Sequence, residues 1–247
     1  NDGSGGVYGA NNINGAPQRS VTVDIYGTDP APAEGEYALH AVYGGGNQAP
    51  YTYGNGYPKV TVHYCDNSIE YVYGGGNAAA VASTDVTIWG GDVIGNVFGG
   101  NNQRGNISGT ITVTVGNDPN DCGVFQVDNV YGGGNLAAYS APEGKKDFPV
   151  VNMVSGTVNN AIYGGGLGTT AIVKGNPQVK MTGGTVGRVT TTEGVTTITG
   201  DIFGGGNAAA VEGNTSVVIT KGKVEHNVYG GGNQAKVTGK TNVVIGE

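Results

Sequence analysis

Charge is scarce in this chain: Asp, Glu, Lys and Arg supply 13% of its 247 residues, about half the usual share. What charge there is sums to −7, so composition offers no basic surplus to neutralise phosphates, and nucleic acid is not expected as a partner. Lys145-Lys146 is the longest basic run, too short to hold the chain on anionic lipid. Long apolar runs are missing too, and nothing approaches the roughly 18 residues of a membrane helix, so membrane insertion is not expected. Arginine is confined to Arg19, Arg104 and Arg188, and histidine to His40, His63 and His226, all scattered. That dispersal leaves no clustered acid–base or metal-binding set; no catalytic residue, metal or cofactor is assigned. The segment Asn117-Asp118-Pro119-Asn120-Asp121 lacks the alternating acidic ligands of a calcium loop and reads as an Asx-type turn. No leader segment is present, but the first residue is Asn rather than Met, so the chain is expected to be a mature or trimmed fragment.

Cysteine is equally sparse. Cys65 and Cys122 are the two in the chain, and the repeat described below sets them two coils apart. Equivalent positions at that distance in a stacked structure would be separated by about 9.6 Å, beyond the roughly 7 Å between Cα atoms that a disulfide tolerates. Cys122 lies in an inserted stretch, Gly116 to Asp128, that could fold back across one coil. A bridge and a pair of inert thiols both stay open.

Against these absences stands glycine, 49 residues, about a fifth of the chain where roughly 7% is usual. It does not recur at every third position, which excludes collagen. It falls instead at fixed offsets from alternating Val/Ile/Thr runs, and 37% of the chain is hydrophobic, which argues against disorder. The motif Tyr43-Gly44-Gly45-Gly46-Asn47 recurs at Tyr73, Tyr131, Phe203 and Tyr229, with degenerate copies at Tyr8, Phe98 and Tyr163. The closest copies, Tyr73 to Phe98 and Phe203 to Tyr229, set the shortest period, and the other gaps exceed it by varying amounts. One coil of about 25–26 residues, with loops inserted in some coils, gives that distribution. Between Asn207 and Glu247, Val211, Thr215, Val217 and Ile219 recur one full period later as Val237, Thr241, Val243 and Ile245.

Each unit reads as N-x-A-x-V, a T-x-V-x-I strand, a glycine turn and a shorter strand ending in V-Y/F. Alternation over a short run of β-branched residues marks a half-buried strand, and no segment has helical periodicity. Two or three short strands cannot bury a core alone, but stacked units can. The expected fold is therefore all-β: a parallel β-helix of about eight coils, occupying residues 1–247 as one solenoid domain. The coils are too short for propeller blades, and the short aspartate-bearing period of a calcium-binding β-roll is absent.

Roles follow from position. The triple glycines are expected to turn the chain through positive φ and to let coils approach closely. Asn47, Asn77, Asn102, Asn135, Asn207 and Asn233 would share one corner, where stacked amides can hydrogen-bond along the axis. The motif aromatics would form a packing column, since Phe replaces Tyr twice; an exposed sugar-stacking strip is the alternative. Outward strand positions Asp24, His63, Asp85, Thr112, Asn152, Lys180, Ser216 and Asn242 are taken as one row, in which carboxylates stand several coils apart, too far for a hydrolytic pair. The row is also too irregular for an ice-binding threonine array. Specific contacts are expected in insertions, chiefly the 47–59 loop, where Tyr51, Tyr53 and Tyr57 could meet a carbohydrate or protein; covering the solenoid's flank is the plainer role.

The stretch Val228 to Ile245, VYGGGN followed by A-x-V-x-G-x-T-x-V-x-I, resembles the glycine-rich repeats of adhesin-like secreted or surface proteins of Bacteroidetes. The likeness extends over nearly the whole chain. It implies a right-handed, pectin-lyase-like β-helix, export and surface exposure, and it brings no catalytic residues. The function expected is a non-enzymatic structural or adhesive module presenting loops to a glycan or a host or bacterial surface protein. A carbohydrate-active enzyme and a subunit stacking head to tail through its solenoid ends are the alternatives; the chain stops mid-repeat at Glu247, leaving an edge that could pair.

Overall fold

In a computed structural model, residues 5–28, 33, 36–54, 57–116 and 125–246 are described. They contain strands and no helix. The T-x-V-x-I segments build an eight-stranded sheet (the first sheet): Thr22–Ile25, Lys59–Val62, Thr84–Ile88, Ile111–Val115, Val150–Met153, Gln178–Met181, Thr215–Ile219 and Thr241–Ile245. Each strand pairs in parallel with its equivalent one coil on. The segments ending in the motif aromatic build a second sheet: Gly6–Tyr8, Leu39–Tyr43, Ser68–Tyr73, Val93–Phe98, Gln126–Tyr131 and Thr157–Tyr163, continued by shorter strands. A third, narrow face carries Tyr51, Val81 and Ile107, joined by parallel bridges, and Tyr139, Val173, Val211 and Val237 further along. The chain is thus a parallel β-solenoid of eight coils, its strands one repeat apart.

Alternation sets the packing. Val60, Val62, Val86 and Ile88 of the first sheet meet Val42, Val72, Val97 and Val130 of the second in one buried core. Each such side chain contributes about 1.5–3 kcal/mol relative to exposure. A second cluster packs the third face, with Tyr51, Val81, Ile107 and Tyr139, against the start of the first sheet.

Two expectations need correction. None of the motif glycines has positive φ; the left-handed glycines lie elsewhere, for example Gly116 and Gly200. The motif requires glycine for proximity, since a methyl on Gly44 would collide with the Gly74 carbonyl oxygen of the next coil. The outward residues also do not form one row. Inward Val23, Val60 and Val86 fix the register, and a one-residue slip would turn them out. Asp24, Asn152 and Lys180 share a row with Thr61, Thr87 and Thr114. Asp85, Thr112, Ser216 and Asn242 form another with Lys59 and Gln178, and His63 belongs to neither.

The wide gap between Tyr163 and Phe203 has a visible cause. The coil's second-sheet strand is split into Thr185–Val186 and Asp201–Phe203, and an antiparallel hairpin, Val189–Thr192 with Val195–Ile198, projects from the break. The chain leaves and re-enters at Gly187 and Gly200, both at positive φ. Every residue of the two hairpin strands is exposed.

Candidate functional site: an exposed aromatic cluster

The motif aromatics are not a surface strip. Tyr8, Tyr43, Tyr73, Phe98, Tyr131, Tyr163, Phe203 and Tyr229 form one continuous stack, with centroids 4.7–5.0 Å apart and planes within 9°. From Tyr43 to Phe203 the rings are buried, on the opposite side of the strands from the valine core. Burial pushes the Tyr43 phenol up to about 12 and raises Tyr73 and Tyr131 as well. Beside the column, Asn47 donates to Asn12, Asn77 to Asn47, Asn102 to Asn77, Asn135 to Asn102 and Asn233 to Asn207, each Nδ2 to Oδ1 at 2.8–2.9 Å. Leu167 stands in the ladder's place between Asn135 and Asn207: its amide donates to the Gly134 carbonyl, as the Asn102 amide does to Gly76. The Asn102 side chain also donates to the Tyr43 hydroxyl at 3.2 Å. Both devices are consumed in stacking coils.

The tyrosine loop is divided by the structure. Tyr51 is fully buried, and its hydroxyl donates to the Arg19 carbonyl at 2.9 Å. It therefore cannot meet a ligand. Its offset from Asn47 is that of Val81 from Asn77 and Val211 from Asn207, so it is a coil residue, not a loop residue. Tyr53 is 43% exposed, while Tyr57 is half-buried with the Lys59 ammonium 5.6 Å from its ring centre. Among the described residues no ring contact joins them.

A different group of rings gathers on the outer side of the first sheet. The strands Thr22–Ile25, Lys59–Val62 and Thr84–Ile88 each end on an inward aliphatic residue, so the next residue faces outward. Those residues are Tyr26, His63 and Trp89. The ladder continues through them: the His63 amide donates to the Ile25 carbonyl at 2.7 Å and that of Trp89 to Val62 at 2.9 Å. Tyr26 stacks on the His63 ring at 4.4 Å and 10°, and Trp89 meets the other side edge-on at 4.7 Å and 82°. Tyr64 adds a fourth ring 5.8 Å from Tyr26. Tyr26 is 56% and Tyr64 47% exposed, while the His63 side chain between them is 13% exposed.

The cluster is held in place from below. His63 Nε2 and Asp24 Oδ1 are 2.9 Å apart, which orients the imidazole if that nitrogen carries the proton. The Asn67 side chain is buried, and its amide donates to the carbonyls of His63 and Tyr64. That clamp closes a tight loop in which Tyr64 sits at φ 52°, a left-handed conformation costly for a bulky residue. Cys65 is disulfide-bonded; Cys122 and the 117–121 segment lie outside the described residues. No group of three or more His, Cys, Asp or Glu residues could hold a metal among the described residues.

Chemically, the site offers flat apolar faces beside one carboxylate and several hydroxyls. Such surfaces accept the C–H face of a sugar ring while their polar edges meet its hydroxyls. The signal was present in the sequence, since Tyr26, His63 and Trp89 each follow the last inward residue of a T-x-V-x-I-type strand in three consecutive coils. The chain matches no protein-family model, no curated protein and no solved structure.

Proposed function

We propose that this chain is a non-enzymatic adhesive module of the cell surface or extracellular space, a rigid solenoid that holds a glycan against an exposed aromatic cluster. The observation that carries the reading is the cluster itself. Tyr26 and Tyr64 are large rings left in water although the coils from Tyr43 to Phe203 bury their motif aromatics, and exposed aromatic patches of this kind mark recognition surfaces. Asp24, paired with His63, is the charged side chain that contacts these rings among the described residues, and a lone carboxylate suits a neutral glycan better than an acidic polymer. The likeness of the VYGGGN units to surface adhesins supports the location, and the fixed loop supports a pre-organised contact.

A glycan array, followed by titration of the strongest neutral hit, tests this. Trp89→Ala and Tyr26→Ala are each expected to weaken binding about tenfold, the loss of one stacking face. Tyr53→Ala is expected to leave it within about twofold. Retention of wild-type affinity in the Trp89 and Tyr26 variants would sink the proposal, as would release of new reducing ends from the bound glycan.

A further inference from the structure

The outer side of the first sheet carries a second feature, at its opposite end. A cavity of about 230 Å³ lies over the strands Gln178–Met181, Thr215–Ile219 and Thr241–Ile245. Its floor is Gln178, Ser216 and Asn242, which are direct register partners in successive coils. Their side-chain amides and hydroxyl make no hydrogen bond with the described residues, so their donors and acceptors are available to a ligand.

The wall is built by a chain of hydrogen bonds from coil to coil. Asn176 Nδ2 donates to Asp147 Oδ1 at 3.0 Å, the Asn214 amide to Asn176 Oδ1 at 2.9 Å, and the Lys240 amide to Asn214 Oδ1 at 2.8 Å. These bonds fix the side chains and leave the Asn214 Nδ2, the second Asp147 oxygen and the Lys240 ammonium unspent among the described residues. The lining is therefore rich in both donors and acceptors, with one charge of each sign. It fits a neutral polyhydroxylated ring: a phosphate would need a surplus of cations, and an apolar ligand would strand these polar groups.

Both features face the same way, and the path between them is continuous. From the Trp89 coil to the Gln178 coil is three steps, about 14 Å along the axis at roughly 4.8 Å per coil. Gln178 precedes Thr182, the register equivalent of Trp89, by about 13 Å along its strand, so the path is oblique and about 19 Å long. Thr87, Thr114, Asn152 and Lys180 line that path in consecutive register. We infer that the cavity is a second sugar subsite, and that one extended neutral oligosaccharide runs obliquely across the outer side of the first sheet from the aromatic cluster to the Gln178–Ser216–Asn242 floor. This rests on the glycan reading above and adds to it a direction, a minimum length and a second anchor.

Calorimetric titration with glucose, mannose and N-acetylglucosamine oligomers, each as disaccharide and as octasaccharide, separates the two ideas. The wild type is expected to bind one octasaccharide at least about tenfold more tightly than its disaccharide, because the second contact is intramolecular. Gln178→Ala with Asn242→Ala, both at exposed or half-exposed positions, should lower the octasaccharide to the disaccharide level and leave the disaccharide unchanged. Ser216→Trp, which fills the cavity, should do the same, and an unchanged far-ultraviolet spectrum of each variant excludes misfolding. Trp89→Ala should weaken disaccharide binding about tenfold, as at the aromatic site alone. Octasaccharide affinity within about twofold of wild type in both cavity variants overturns the second subsite while leaving the aromatic site standing. If no oligomer of either length binds the wild type, the glycan reading falls and the subsite falls with it.

Discussion

Tyr64 shows how a single residue can be held against its own preference. At φ 52° its Cβ crowds the backbone, a cost of about 1–2 kcal/mol for a residue other than glycine, and its ring is largely in solvent. Little buried area offsets that strain, so the Asn67 clamp and the Cys65 disulfide maintain it. Tyr64→Gly is therefore expected to raise the unfolding free energy by about 1 kcal/mol in urea denaturation while weakening glycan binding several-fold. A stability loss would show that the ring is structural. Nothing in the local sequence announces this conformation, because it is set by the His63 and Tyr64 carbonyls that Asn67 gathers from across the loop. Tyr51, by contrast, is legible from its offset once the coil boundaries are known; its neighbours Ala49-Pro50 and Thr52-Tyr53 disguise it as loop.

Among the elements, the triple glycine joins local chain to neighbouring coil. Gly133 and Gly231 occupy the same motif position, yet a methyl on Gly133 would lie 2.8 Å from the Gly166 nitrogen, while one on Gly231 would meet nothing within 4 Å. The difference is the coil stacked above, which Gly133 has and Gly231 lacks in the described chain. Gly133→Ala is expected to destabilise by more than about 3 kcal/mol, because backbone and not a flexible side chain must move. Gly231→Ala should be neutral within about 0.5 kcal/mol. Thermal melts of the two variants check this, and equal losses would mean that the glycine serves the turn and not the contact. The hairpin at Val189–Ile198 marks the other limit of motif reading: its two strands pair with each other and with no coil, so no repeat position identifies them.

At the scale of the molecule, the buried ring column makes stability sensitive to alkali. Burial raises the Tyr43, Tyr73 and Tyr131 phenols of the column, and that of Tyr139 on the third face, above their ordinary value of 10.0. An acid whose folded value lies above its unfolded one stays protonated in the native state after the unfolded chain has lost its proton. The unfolded state then binds fewer protons, and stability falls as pH rises. Stability from these groups should be complete below pH 10, then decline through pH 12 and beyond, so the solenoid is expected to unfold cooperatively in that window. Ultraviolet titration should show tyrosinate from the column appearing together with loss of β-sheet ellipticity; ionisation of the column with the sheet intact would contradict it. The spacing of the repeats made the all-β solenoid legible, because stacking identical units is the one way such short strands bury a core.

The sequence by itself determined the coil: its length, its inward Val/Ile positions, the ladder asparagines and the aromatic column, all properties that repeat and can be read by comparing one unit with the next. Only the tertiary structure decided which rings meet water. Tyr43 and Tyr26 are both tyrosines at the ends of β-branched strands, but one is roofed by its neighbours in the column and the other is left open beside His63 and Trp89. That difference comes from packing between coils that are distant along the chain, where inward aliphatics set the register and the register selects which side chains face out.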